Sequence, residues 1–189
     1  MDRETIASQA LALFQNRGYE SVTVQDICDA CGITKPTFYR YVPSKESIVV
    51  AVYDDITMQL SQRLLRVAGS GNHWEQLVIC FDTLYRESSR LGPGIFSQAI
   101  IANLQEDRHT FDLRPYLTEV MVGIIRHAQE SGQVCNPSPA ERLYDAASHM
   151  FSGYELIWCI RDGKTNWRDD LLASLEALFM VPDQWRVRP

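Results

Sequence analysis

Two short helical segments separated by Cys31-Gly32-Ile33-Thr34 constrain this chain more than any other feature. Thr23 and Asp26, three residues apart, form a capping box that starts one helix. Ile27 and Ala30 to Cys31 give that helix an inward face, and Gly32 stops it. The next helix begins near Thr34 and ends where Pro43 follows Val42, because the residue before a proline is pushed out of the helical region. Two helices joined by so tight a turn make a helix-turn-helix.

The remaining segments are helical too. Ile6, Ala7, Ala10, Leu13 and Phe14 share one face of a first helix that Gly18 ends. A fourth helix starts at Ser44 and runs to Ala68, with Ile48, Val52, Ile56, Leu60 and Leu64 at helical spacing. Further helical stretches are expected over 73–90, 94–105, 112–131, 139–161 and 167–180. For the last two, Ser138 is the expected N-cap with Pro139 at the first position and Glu141 at the third, and Asn166 with Asp169 repeats the pattern. No window shows sustained strand alternation, and there is no internal repeat. The fold class is therefore all-α: an N-terminal three-helix head, residues 1–47, joined by a long helix to a C-terminal bundle within residues 48–189.

Charge enters where the second of the short helices must choose a partner. The chain carries a net charge of −6, which argues against nonspecific polyanion binding. Between residues 34 and 45, however, there are three cations and no carboxylate. This helix exposes Lys35, Thr37, Tyr39, Arg40 and Tyr41 while burying Phe38 and Val42. Lysine and threonine at the start of such a helix can reach base edges in a major groove, and tyrosine hydroxyls can contact phosphates. Lys45, expected in the first turn of the fourth helix, lies where free backbone N–H groups also favour a phosphate oxygen. The candidate DNA-contact set is Thr23, Thr34, Lys35, Pro36, Thr37, Tyr39, Arg40, Tyr41 and Lys45.

These residues resemble the head of TetR-type bacterial transcriptional regulators. The likeness runs through the first 50 or so residues, in the frame "IASQALALFQNRGYESVTV", the block "DICDACGITKPTFYRYVPSKESI" and its Gly32-Ile33-Thr34, Phe38-Tyr39-x-Tyr41 and Ser44-Lys45 pattern. The resemblance implies a homodimer whose paired heads bind a palindromic operator, and a C-terminal bundle that binds a small effector altering head spacing. Repression is the commoner outcome in such a family. Cys28 and Cys31 stand where the family commonly has alanines, so this Cys-x-x-Cys is read as close packing. A structural zinc would need four suitably spaced ligands, and no second Cys-x-x-Cys occurs.

No metal and no cofactor are therefore expected, and five cysteines, an odd number scattered along the chain, do not make a disulfide framework and suggest thiols in a reducing compartment. The longest apolar run, Ile48 to Tyr53, is far too short to cross a bilayer and the N-terminus lacks a signal-peptide pattern, so the expectation is cytoplasmic with no membrane partner. Gly163-Lys164-Thr165 is read as a helix end and loop, since position 158 is Trp where a phosphate loop needs Gly. The C-terminal half is rich in aromatic residues, Phe111 among them, and the candidate lining of a largely apolar effector pocket is Phe81, Tyr85, Phe96, Tyr116, Met150 and Tyr154. Asp82, His149 or Glu155 would orient the guest. Leu143, Ala146, Ala147, Met150 and Phe151, then Leu171, Leu172, Leu175, Leu178 and Phe179, exceed what one bundle face requires, which points to a dimer interface over about 140–160 and 167–180. Two other readings stay open at this point: a DNA-binding regulator that senses oxidation at Cys28 or Cys31, and a small helical enzyme, for which no catalytic signature is present.

Overall fold

In the computed structural model every regular element among the described residues is a helix. The structure describes residues 2–67, 71–107, 109, 112 and 114–186. The helices are α1 (Arg3–Arg17), α2 (Val24–Cys31), α3 (Lys35–Tyr41), α4 (Glu46–Val67), α5 (His73–Leu91), α6 (Pro93–Gln105), α7 (Pro115–Glu130), α8 (Ala140–Ile160) and α9 (Arg168–Phe179). Ala68, the expected end of the fourth helix, and Phe111 lie outside the described residues. The chain forms two compact units, Met1–Asp55 with Ser88–Thr110, and Ile56–Glu87 with Phe111–Pro189. Among the described residues no helix is long and apolar enough to cross a membrane.

In the first unit α1 packs on α2 and α2 on α3. Ile6, Ala10 and Phe14 are buried from α1, Ile27, Cys28 and Cys31 from α2, and Phe38 from α3. Ala30, expected on the inward face of α2, is exposed; the buried set follows the i, i+1, i+4 spacing of Ile27, Cys28 and Cys31 instead. The fourth helix begins at Glu46, later than expected, so Lys45 precedes it. Its start is fixed by Ser44 and Ser47, each side chain accepting the other's backbone N–H at 3.2 Å.

In the second unit α7 packs on α8 and α8 on α9. Trp74, Leu77, Phe81, Met121, Ile125, Leu171 and Phe179 are each at most 2% exposed and form its core. In this unit three helix starts differ from expectation. Pro139 is the N-cap of α8, its carbonyl accepting Leu143 N–H at 3.1 Å, while the carbonyl of Ser138 is taken by Gln129 Nε2 at 2.9 Å. Trp167 is the N-cap of α9, and Asn166 Oδ1 accepts Arg168 N–H from one position further out. The seventh helix starts at Pro115 rather than 112. Most of the apolar residues assigned to an outward stripe on α8 and α9 point inward: Leu143, Ala147, Phe151, Leu171, Leu172, Leu175 and Phe179 are buried. The exposed large apolar residues of this region are instead Leu156, Ile157, Ile160 and Met180.

Candidate functional site

The helix-turn-helix is assembled from short-range polar geometry. The capping box of α2 is complete: Thr23 N–H donates to Asp26 Oδ2 at 2.8 Å and Asp26 N–H to Thr23 Oγ1 at 3.2 Å. Asp26 also meets Arg17 at 3.0 Å. These hydrogen bonds, chiefly that from the Thr23 hydroxyl, hold the Asp26 carboxyl at about 2, well below its ordinary value. Gly32 then closes α2 in the left-handed region, φ 63 and ψ 35, which lets Ile33 N–H reach back to Cys28 O at 3.0 Å. Thr34 caps α3, accepting from Thr37 N–H at 3.4 Å, and the two hydroxyls lie 3.0 Å apart.

Phe38 and Val42 anchor α3 in the core, at 0% and 1% exposure, and this fixes which side chains remain outside. Lys35, Pro36, Tyr39 and Arg40 are exposed, and Thr34 with them; Thr37 and Tyr41 are half-buried. Tyr39 is packed edge-on against Phe38 with ring centroids 5.3 Å apart, yet remains 52% exposed. Arg40 lies 5.0 Å over the Tyr41 ring and donates to its hydroxyl at 3.4 Å, so the two residues present one cationic-aromatic edge. The structure thus brings Thr34 to Tyr41 onto a single helix with a polar outer face. Lys45 stands apart from the expectation of a phosphate contact: its ammonium donates to the carbonyls of Tyr19 at 2.8 Å and Val22 at 3.0 Å.

Cys28 and Cys31 are free thiols and buried, which agrees with packing. Burial pushes both above the ordinary thiol value, with the Asp29 charge adding to the effect at Cys28, so little thiolate is present at neutral pH.

In the second unit, a cleft of about 600 Å³ opens between the end of α8 and the start of α9, lined by Met150, Tyr154, Ile157, Arg161, Trp167 and Asp170. Of the six candidate pocket residues, Met150 and Tyr154 reach this cleft. Tyr85 touches it indirectly through Trp167, its ring 4.9 Å away, and Phe81 lies behind, 6.2 Å from Phe151. Tyr116 shares a hydrogen bond with Thr57 at 2.9 Å, and Phe96 is buried in the other unit. Trp167 was not legible as a site residue, although Tyr85, Phe151, Tyr154 and Trp158 all gather round its ring. The only signal was an aromatic residue directly before a helix. Of the three polar groups considered for a guest, Glu155 is buried, His149 is exposed, and Asp82 is engaged by Arg86 at 2.8 Å and Arg168 at 2.5 Å. Gly163-Lys164-Thr165 forms the turn and loop after α8, as expected.

Residues 6–52 match the family profile described as bacterial regulatory proteins, tetR family. Over this N-terminal segment the chain is similar to the TetR family. A relative, the transcriptional regulator EthR of Mycobacterium tuberculosis, is 35% identical over 68 residues, which are 35% of this chain and 32% of EthR, so the match spans about a third of the curated relative. Solved structures share the fold over most of the chain. FadR of Thermus thermophilus, a TetR-family repressor in complex with lauroyl-CoA, superposes with a TM-score of 0.76 at 23% identity, covering 93% of this chain and 92% of its own. FadR of Bacillus subtilis in complex with stearoyl-CoA gives 0.62 at 18% identity, covering 93% and 97%. These TetR-family proteins are transcriptional regulators rather than enzymes.

Proposed function

We propose that this protein is a ligand-responsive DNA-binding regulator that acts as a homodimeric repressor. The observation that carries the reading is α3: a helix anchored by the buried Phe38 and followed by buried Val42, which leaves Lys35, Tyr39 and Arg40 in solvent with no ion pair among the described residues. A face with that chemistry fits a major groove, with Lys35 and Thr37 reading base edges while Thr23, Thr34, Pro36, Tyr39, Arg40 and Tyr41 pack along the sugar-phosphate backbone. Two heads in a symmetric dimer would span half-sites about one helical turn, roughly 34 Å, apart or slightly more. The exposed Leu156, Ile157, Ile160 and Met180 favour dimerisation through α8 and α9.

The effector is a small, largely apolar molecule held in the second unit; the lauroyl and stearoyl chains of the two FadR ligands support the apolar part of that reading, whereas their CoA parts are polar and charged. Its binding favours a bundle conformation in which α4 carries the head out of operator spacing; it can shift the equilibrium only by its differential affinity for the two states. The test is a gel-shift titration on the DNA upstream of the protein's own gene. Thr37→Ala should weaken that fragment more than random DNA, whereas Tyr39→Ala should weaken both. Equal losses for Thr37→Ala would remove its base-reading role, and indifference to every promoter fragment at low ionic strength would remove the reading as a whole.

A further inference from the structure

We infer that Lys45 is a positioning residue for DNA binding rather than a phosphate contact, and this rests on the DNA-binding reading above. An ammonium carries three N–H donors and no acceptor. Two of those donors are spent on the carbonyls of Tyr19 and Val22, at 2.8 and 3.0 Å. The ammonium also lies against two aromatic rings, Nζ being 3.9 Å from the centroid of Tyr19 and 5.9 Å from that of Phe14. Tyr19 and Val22 are 5% and 1% exposed. The Val22 carbonyl therefore needs a donor from within the protein, since a buried carbonyl without one is costly, while that of Tyr19 also accepts the Val22 N–H at 3.3 Å.

The position of those carbonyls gives the clasp its consequence. Val22 directly precedes Thr23, the N-cap that starts α2. Tyr19 is tied a second time, its hydroxyl donating to Glu46 Oε1 at 3.2 Å. The last residue before α4 and the first residue within it thus grip the loop between α1 and α2, at both ends of the segment 19–22. That loop sets where α2 begins, α2 packs on α3, and α3 carries the DNA-facing side chains. Lys45 acts on DNA by holding the start of α4 in register with the helix-turn-helix, and any displacement of α4 at that end is passed directly to the head.

The test uses the full chain and a duplex selected by the wild-type protein from a random-sequence pool. Lys45→Met and Lys45→Gln are titrated against that duplex at several salt concentrations, at a temperature where circular dichroism shows full helicity. A positioning role predicts a loss of affinity on the order of tenfold for Lys45→Met, from breaking two charge-assisted bonds, with the slope of log K against log salt unchanged. Lys45→Gln, which keeps an N–H donor but no charge, should lose less than Lys45→Met at the same slope. A phosphate contact instead predicts a slope shallower by about 0.9 per protomer for both variants, and that result would overturn the inference. Wild-type affinity for the folded variants would overturn it equally, by reducing Lys45 to a stability role. If wild-type protein selects no duplex at all, it is the DNA-binding reading that fails.

Discussion

Two glycines in the head sit in different parts of positive-φ space, and the difference can be measured. Gly32, at φ 63 and ψ 35, occupies the left-handed helical region, and a Cβ built there would meet nothing within 4 Å. Alanine at this position therefore costs only backbone strain, about 1–2 kcal/mol, offset by about 0.4–1 kcal/mol from the reduced freedom of the unfolded chain. The net destabilisation is about 1 kcal/mol, and Gly32→Asn should cost less, because asparagine tolerates this region better. Gly18, at φ 79 and ψ 143, lies close to a region that essentially only glycine enters, where strain reaches about 1–3 kcal/mol. The expected order of damage is Gly18→Ala, then Gly32→Ala, then Gly32→Asn. All four tryptophans fall in the second unit, so their fluorescence is blind to the head. Native-state amide exchange in α2 and α3 is the appropriate assay, with a loss of about 1 kcal/mol read as roughly fivefold faster exchange. If Gly32→Asn proved worse than Gly32→Ala, or if Gly32→Ala matched Gly18→Ala, the conformational account of the turn would be wrong.

Trp167→Ala removes a side chain that is 3% exposed and touches four aromatic rings, so it should cost about 3–5 kcal/mol in urea unfolding followed by fluorescence; a loss below about 1 kcal/mol would contradict its place at the centre of the cluster. Alkylation at pH 7 should modify exposed Cys135 first, while Cys28, Cys31 and Cys80, whose thiols burial pushes upward, should react only as the protein opens, as peptide mass mapping would show. Asp26 is held at about 2 in the folded chain against 3.8 ordinarily. Because the unfolded chain takes up this proton first as pH falls, the contribution of Asp26 to stability is present above about pH 4 and disappears toward pH 2. Asp26→Asn should lack that component, and a parallel acid dependence in wild type and variant would rule it out.

The head was legible because its determinants are local. Thr23 with Asp26, Gly32, Thr34 and Pro43 act within three or four residues of themselves, and all appear where their chemistry requires. Lys45 is the opposite case: its partners in the structure lie 26 and 23 residues away, and a lysine beside a helix start looks the same in sequence whether it faces a phosphate or a loop carbonyl. The start of α8 lies one position later than expected, and the Ser138 carbonyl is taken by Gln129 from nine residues away. In α8 and α9 the apolar content was plain, but helical spacing cannot say which of two apolar faces meets its own bundle. Trp167 has no periodic neighbours, so nothing in the sequence marks the ring that organises the cleft.

Charge decides what kind of DNA binding such a head can perform. With Lys45 engaged, the stretch from 34 to 45 offers phosphates only Lys35 and Arg40, which makes four cations from this stretch in the proposed dimer. Four phosphate contacts correspond to a salt slope of about −3.6, well short of that of a strongly basic DNA-binding protein. The chain's charge of −6 opposes close approach to DNA wherever those cations are not aimed at it. Affinity must then come from the uncharged groups of α3, the hydroxyls of Thr34, Thr37, Tyr39 and Tyr41, whose hydrogen bonds depend on register and shape. On the proposed reading, a head of this composition would bind random duplex weakly and discriminate by needing the whole polar face to fit at once.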